Sequence, residues 1–369
     1  MKKKEADFAI IGGGIVGLSV AHGLLKQGAS VLCIDGTDTD FKASRGNFGL
    51  VWVQGKGIKT PFYAAWTRDA ARLYPNFVSE LSEETGMKIN LSQNGGYEYF
   101  IDSNALDERI AEYKKLKSAL NGDYPYEILS SSEIRAAEPM VGGKTIGATY
   151  YPYDGHLNPL QLLKALTECC QKWGLDHYLG EEIKIAKKKD GVFRLVTKKG
   201  LEVSAEKVVV CAGLGAKKIG PLFGFMGLVS PQRGQILITE KVPPIINRPS
   251  VTIRQTNEGA IQIGDSQEQV GLNDNETQAE MSRIARNAIK VMPKLAQLRL
   301  VRAWGSLRVM SPDGLPIYQQ SSSMPGAFIV TCHSGITLSA IHSTTLSLWL
   351  TGKKNAPDLS LFSESRFHG

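Results

Sequence analysis

Short apolar runs alternate with stretches of helical spacing along this chain, and the tightest alternation lies at its start. Phe8, Ala9, Ile10 and Ile11 form a run long enough for one buried strand. Gly12, Gly14 and Gly17 follow at the spacing GxGxxG. Val16, Val20 and Leu24 then recur at helical spacing as far as Gly28, a natural helix stop. A second apolar run, 31–34, ends at Asp35. Strand, glycine turn, helix, strand and acid in this order make the pattern of a dinucleotide site.

Further along, 51–53 reads as a short strand and 62–85 as helix, with an interruption predicted at Pro75. Residues 97–101 alternate as a strand and 106–120 as an amphipathic helix. Ser130 and Glu133 have capping-box spacing for a short helix. After a strand-like segment at 148–153, Asn158 and Pro159 cap and open a helix that runs to Gly174. Three alternating segments, 183–188, 192–197 and 201–205, predict a meander turning at Asp190-Gly191 and Lys199-Gly200. The run 208–213 predicts another parallel strand of the nucleotide sheet. Segments 232–239, 251–255, 260–264 and 299–304 predict a second, largely antiparallel sheet with a helix at about 276–291. The chain then returns to the first architecture, with a buried strand at 327–331, a loop at 332–335 and a helix at 336–350. The fold class is therefore α/β with an α+β second domain, a Rossmann-like domain interleaved with an antiparallel-sheet domain. The expected division is 1–90, 145–228 and 305–369 against 91–144 and 229–304.

Composition narrows the choices. The 369 residues can hold one large domain or two of ordinary size, and 42% hydrophobic with 21% charged residues is globular. No apolar run reaches the roughly 18 residues of a membrane span. The start, Met1-Lys2-Lys3-Lys4-Glu5, leads into the first strand with no secretory hydrophobic region, so a cytoplasmic location is expected. The net charge of +7 is spread out. Its densest group, Lys187, Lys188 and Lys189, falls at a predicted hairpin tip, so a nucleic-acid partner is not expected. The five cysteines form no CxxC pair and show no metal-ligand spacing, and their odd number argues against a disulfide framework. No metal site is expected.

The chemistry of the first segment follows from its residue types. Gly12 permits a tight turn off the strand, Gly14 lets a pyrophosphate approach the backbone, and Gly17 brings helix and sheet together. The helix N-terminus offers free N–H groups and the positive end of its dipole. Asp35 can accept both hydroxyls of an adenosine ribose. The small, polar loop 43–49, with Arg45, suits close approach to a flat ligand.

Several landmarks together resemble the D-amino-acid oxidase/glycine oxidase superfamily of FAD enzymes. They are the N-terminal GGGIVG with Asp35, Asn158-Pro159, Val210-Cys211-Ala212-Gly213, Arg308 with Pro312-Asp313-Gly314 and Pro316, and His333-Ser334-Gly335-Ile336. Segments 44–57 and 332–338 look most like the branch of hydroxyproline, proline and opine dehydrogenase β subunits. The resemblance implies FAD and hydride removal from a carbon beside an amine, with the flavin carrying the redox chemistry. It implies that Gly12, Gly14, Ile15, Val16, Gly17, Asp35 and Gly36 hold the nucleotide. Ser44, Arg45 and Asn47 would line the flavin and its ribityl chain, Ile183 would meet the adenine, and Ala212 and Gly213 would pass beneath the dinucleotide. His333, Ser334, Gly335, Ile336 and Thr337 would face the flavin pyrimidine, and Arg308 would bind the substrate carboxylate, with Arg254 as the next candidate.

Related sarcosine oxidases attach FAD to a cysteine around 304–311. No cysteine lies there, so the FAD is expected to be non-covalent. The branch also implies partners: a second flavin or nucleotide subunit, a ferredoxin-like iron–sulfur subunit and, in some relatives, an FMN at a subunit interface. Docking into such an electron-transfer complex would put the chain at the periphery of a membrane. A stand-alone glycine/sarcosine-type oxidase producing hydrogen peroxide and a tRNA-modifying flavoprotein are the alternative readings.

Overall fold

The computed structural model describes residues 4–37 and 41–367. Met1–Lys3 of the basic start, residues 38–40 of the polar segment after Asp35, and the last two residues lie outside the described residues. In the main sheet, Lys4–Ile11 stands between Val31–Ile34 and Glu202–Val210, all three parallel. Asp176–Tyr178 extends one side and Ala327–Thr331 the other, also parallel, and Ile317–Gln320 closes that edge antiparallel. Phe8, Ile10, Val31 and Cys33 pack into the core on one face, and Ala9, Ile11, Leu32 and Ile34 into the core on the other. Burial on both faces is why these strands read as unbroken apolar runs.

A second, four-stranded antiparallel sheet has the order Ile253–Gln255, Ala260–Ile263, Ser230–Lys241, Leu300–Met310, with Gln278–Val291 as its helix. Its apolar side packs with Ile284 and Ala288 of that helix. A third small sheet joins Gly96–Phe100, Gly147–Tyr151 and Glu127–Ser130. The α/β class and the separate antiparallel sheet match the sequence reading.

Four local expectations change. The segments 201–205 and 208–213 are not two strands: Glu202–Val210 is continuous. Its first half pairs antiparallel with Val192–Thr197 while its length runs parallel to Lys4–Ile11. Glu206 and Lys207 break the apolar pattern but supply no turn residue, so the chain does not turn there.

The helix Pro61–Thr85 passes through Pro75 without a break. Proline cannot donate to the carbonyl four residues back, and that carbonyl, Ala71 O, instead accepts from Gln93 Nε2 at 2.8 Å. The strand predicted at 299–304 extends to Met310, because Ser230–Lys241 is long enough to pair with all of it. The C-terminal helix is not uniform: Gly335–Ile341 continues through a π-helical turn, His342–Leu346, into Ser347–Thr351. That turn sets Ser343 Oγ 2.7 Å from buried His22 Nδ1 on the first helix.

The caps form as read. Leu160 N and Gln161 N donate to Asn158 Oδ1, and Ser130 and Glu133 make a reciprocal capping box. The three-residue strand Asp176–Tyr178 and the short Glu127–Ser130 and Ile317–Gln320 were not read, being too brief to show a period.

Candidate active site

The C-terminal ends of the parallel strands open into one cavity of about 940 Å³, the place where such sheets take ligands. The first strand ends at Gly12, whose φ of 113° is a left-handed conformation. A Cβ there would also collide with Cys211 O on the neighbouring strand. Gly14 caps the first helix, Ile15–Lys26, with no side-chain hydrogen bond of its own and no acidic residue in the first turn. Gly17 does not line the cavity; any side chain on it would run into Gly12 O, so its part is to pack helix against turn.

Of the other predicted residues, Gly12, Gly14, Ile15, Val16, Asp35, Gly36, Ser44, Asn47, Ile183, Ala212 and Gly213 line one stretch of the cavity. Arg308 and His333 through Thr337 also line it. Arg45 is the exception: it is exposed and stands outside the lining.

Two roles look different in three dimensions. Ser44 Oγ accepts from Ile15 N at 2.9 Å, so a loop residue 29 positions away caps the first helix. Asp35 holds an ion pair with Lys42 at 2.6 Å, and Gly36 N donates to its other oxygen at 3.0 Å.

The second sheet covers the cavity's other wall. Arg308 reaches past Gly234, where a Cβ would lie 2.6 Å from the guanidinium carbon. Its Nη1 donates to Ser266 O at 2.7 Å and Arg233 O at 3.3 Å, and its Nη2 pairs with the carboxylate of Asp265. Burial is the main influence on both partners, lowering Arg308 and raising Asp265 from their ordinary values. Arg254 does not line this cavity. It lies buried against His156, its Nη1 3.0 Å from His156 Nδ1.

Lys56, Asp265 and Trp52 also line the cavity and were not singled out from the sequence. Lys56 sits between Gly55 and Gly57, at φ of 75° and 66°, a loop that only glycines make readily. Its Nζ donates to Ser334 Oγ at 2.8 Å and Thr337 Oγ1 at 3.1 Å. Desolvation pulls its pKa down to about 8, against the weaker opposing pull of Asp154. Thr337 Oγ1 also accepts from Trp52 N at 3.2 Å, which ties this loop to the 333–337 turn. Desolvation, with Lys56 and Arg308 adding positive charge, lowers His333 to about 3, although the residue itself still reaches solvent.

A buried carboxylate fixes the strand-and-loop segment that carries Trp52 and Lys56. Val53 N and Gln54 Nε2 donate to Asp154 at 2.5 and 2.9 Å, and Thr149 Oγ1 donates to Gln54 Oε1 at 2.7 Å. Burial raises Asp154 to about 7.

A cavity that starts at a phosphate-type cradle and ends between charged side chains of a second sheet has room for a dinucleotide and a small reactant beyond it. That is the layout of a dinucleotide-dependent oxidoreductase. Residues 7–347 match the model of the FAD dependent oxidoreductase family, and the chain belongs to that family. The B subunit of opine oxidase from Rhizobium meliloti is 36% identical over 364 residues, covering 98% of each chain. Glycine oxidase from Geobacillus kaustophilus shares the fold at a TM-score of 0.90, with 24% identity over 99% of both chains. L-proline dehydrogenase from P. horikoshii does so at 0.85, with 19% identity over 100% of this chain and 99% of that one.

The cofactor of the family is FAD, and the residues present suit it. The Gly12 and Gly14 backbone leaves the cradle clear, and the first helix presents its N-terminus there without a competing acid. The chain is thus an FAD-dependent oxidoreductase.

Proposed function

We propose that this chain oxidises the C–N bond of a small amino or imino acid of the hydroxyproline, proline or opine type. Bound FAD supplies the acceptor for the hydride. The observation that carries the reading is Arg308, a guanidinium on the cavity wall opposite the glycine cradle, suited to bidentate recognition of a carboxylate. The names of the relatives, opine oxidase and L-proline dehydrogenase, point to the same substrate class. Phe48, Trp52, Ile236 and Val251 add apolar surface to the cavity.

The lowered pKa of His333 favours its neutral ring, which suits a part in orienting the ligand. Two cysteines, Cys211 and Cys332, line the cavity, but burial pushes Cys332 up to about 12 and Cys211 higher still. Burial disfavours in both the thiolate that attachment of FAD would need, which supports a non-covalent cofactor.

The chain also reads as the β subunit of a multi-subunit complex with a second flavin or nucleotide subunit and an iron–sulfur subunit. The five cysteines offer this chain no cluster ligands of its own, and the relative at 36% identity is one subunit of an oxidase. The structural likeness to glycine oxidase favours a second reading, direct transfer to oxygen.

Anaerobic mixing of the yellow protein with proline, hydroxyproline isomers, opines, sarcosine and glycine tests the substrate class. An imino acid or opine should bleach the flavin fastest. Bleaching by none of them, or by a carboxylate lacking an amine, sinks the reading. Dye reduction much faster than peroxide formation supports the complex, and equal rates support the oxidase.

A further inference from the structure

The guanidinium that would take a substrate carboxylate already has a carboxylate beside it. Arg308 and Asp265 form an ion pair on the cavity wall, with 20% and 34% of their side chains exposed. The pair is held from behind. Arg308 Nη1 is fixed by Ser266 O and Arg233 O, and Arg283 Nη2 donates to the backbone carbonyl of Asp265 at 3.1 Å. Phe48, Ile236, Val251 and Leu272 line the same cavity.

An acid in this position works against any ligand that brings only a negative charge. Such a ligand must share Arg308 with Asp265 and place a second anion next to a carboxylate at a part-buried site. A ligand that brings a carboxylate and a cationic amine on adjoining atoms meets no such conflict. Its carboxylate takes the open side of Arg308 while its ammonium takes Asp265, so neither part-buried charge loses its partner. Specificity of this kind comes from the repulsion as much as from the attraction.

We propose that Asp265 is the amine-recognising residue of this site, and that with Arg308 it selects zwitterionic amino or imino acids over carboxylates lacking a basic nitrogen. The inference rests on the reading of Arg308 as the carboxylate group.

The test uses two pairs of near-isosteric acids that differ in one atom. They are iminodiacetate against oxydiacetate, and proline against tetrahydrofuran-2-carboxylate. Each is titrated anaerobically against the FAD-loaded protein and followed by perturbation or bleaching of the flavin spectrum. Wild type should bind each amine at least ten-fold more tightly than its ether.

In Asp265→Asn with its FAD retained, the amines should weaken at least ten-fold. The ethers should tighten, because the competing charge on Arg308 is gone. If Asp265 only props Arg308 in place, amines and ethers weaken together in the variant, and the inference falls. If wild type does not prefer the amines, it falls whether or not the variant folds. Arg308→Ala separates the two levels: it should weaken amines and ethers alike. Ether binding untouched by Arg308→Ala, or no binding by any of the four acids, overturns the reading of Arg308 and the inference with it.

Discussion

The two ends of the cavity are built on opposite principles. The nucleotide end is centred on one continuous stretch, Ile11 to Gly36, and works there through backbone: glycines that clear space and a helix end that offers N–H groups. Two of its charged side chains, Asp35 and Lys42, pair with each other. The far end is assembled from five distant segments, which bring Trp52 and Lys56, Ile236, Asp265, Arg308, and His333 to Thr337 around one space. There the chemistry sits in side chains held by long-range bonds, such as Lys56 to Ser334 and Thr337 across 278 and 281 positions. A backbone-built end can serve any dinucleotide. A side-chain-built end is where selectivity resides, and substitutions should affect the two ends in different currencies.

The largest expected effect is at Arg308. Its removal takes away a part-buried charge partner, so Arg308→Ala should lower kcat/KM by about 2–5 kcal/mol, roughly 30- to several-thousand-fold. FAD content should be unchanged, and Arg308→Lys should restore only part of the rate because it lacks the fork. Steady-state kinetics with flavin quantitation reads both. Loss of FAD would erase the distinction between the two ends.

Next in size is Asp35, whose replacement by alanine should act only on the cofactor. Losing charge-assisted bonds to a ribose should weaken FAD by about 1.5–3 kcal/mol. Lys42→Ala should move affinity the other way, since it frees the carboxylate from its ion pair. Fluorescence titration of the apoprotein with FAD measures both signs.

Lys56 provides a pH test of the side-chain end. Its folded pKa, about 8, lies below the ordinary lysine value of 10.5. Between these values the unfolded chain binds more protons, so stability rises as pH climbs from about 8 towards 10.5. The FAD-free protein should gain about 1–3 kcal/mol over that window relative to its value below pH 8. Lys56→Met should remove that gain. Parallel pH profiles of the thermal midpoint for the two proteins would refute the assignment.

The smallest effect lies within the nucleotide end. Ser44→Ala removes the cap that a loop residue places on Ile15 N, and should cost about 1 kcal/mol of stability. FAD affinity should change little, because the N–H it releases then faces the dinucleotide. A drop in FAD affinity comparable to that of Asp35→Ala would show that Ser44 binds the cofactor directly.

By itself the sequence determined the nucleotide end, because that end is local. Turn, helix and strands over 8–35 are set by glycine positions, apolar period and one acid, all readable over 28 residues. The caps at Asn158 and Ser130 were legible for the same reason, and so were the strands of the second sheet, although the last was read as ending at 304, short of Arg308. Only the tertiary structure decided the rest. It turned two predicted strands into Glu202–Val210, since pairing on both edges outweighs two polar residues in the run. It let Pro75 remain inside a helix because Gln93, 18 residues on, takes the orphaned carbonyl. It left Arg45 outside the cavity and brought in Lys56 and Asp265, whose importance lies in partners hundreds or tens of positions away. A side chain's charge is written in the sequence; whether that charge is buried, paired or aimed at a ligand depends on contacts that no local pattern encodes.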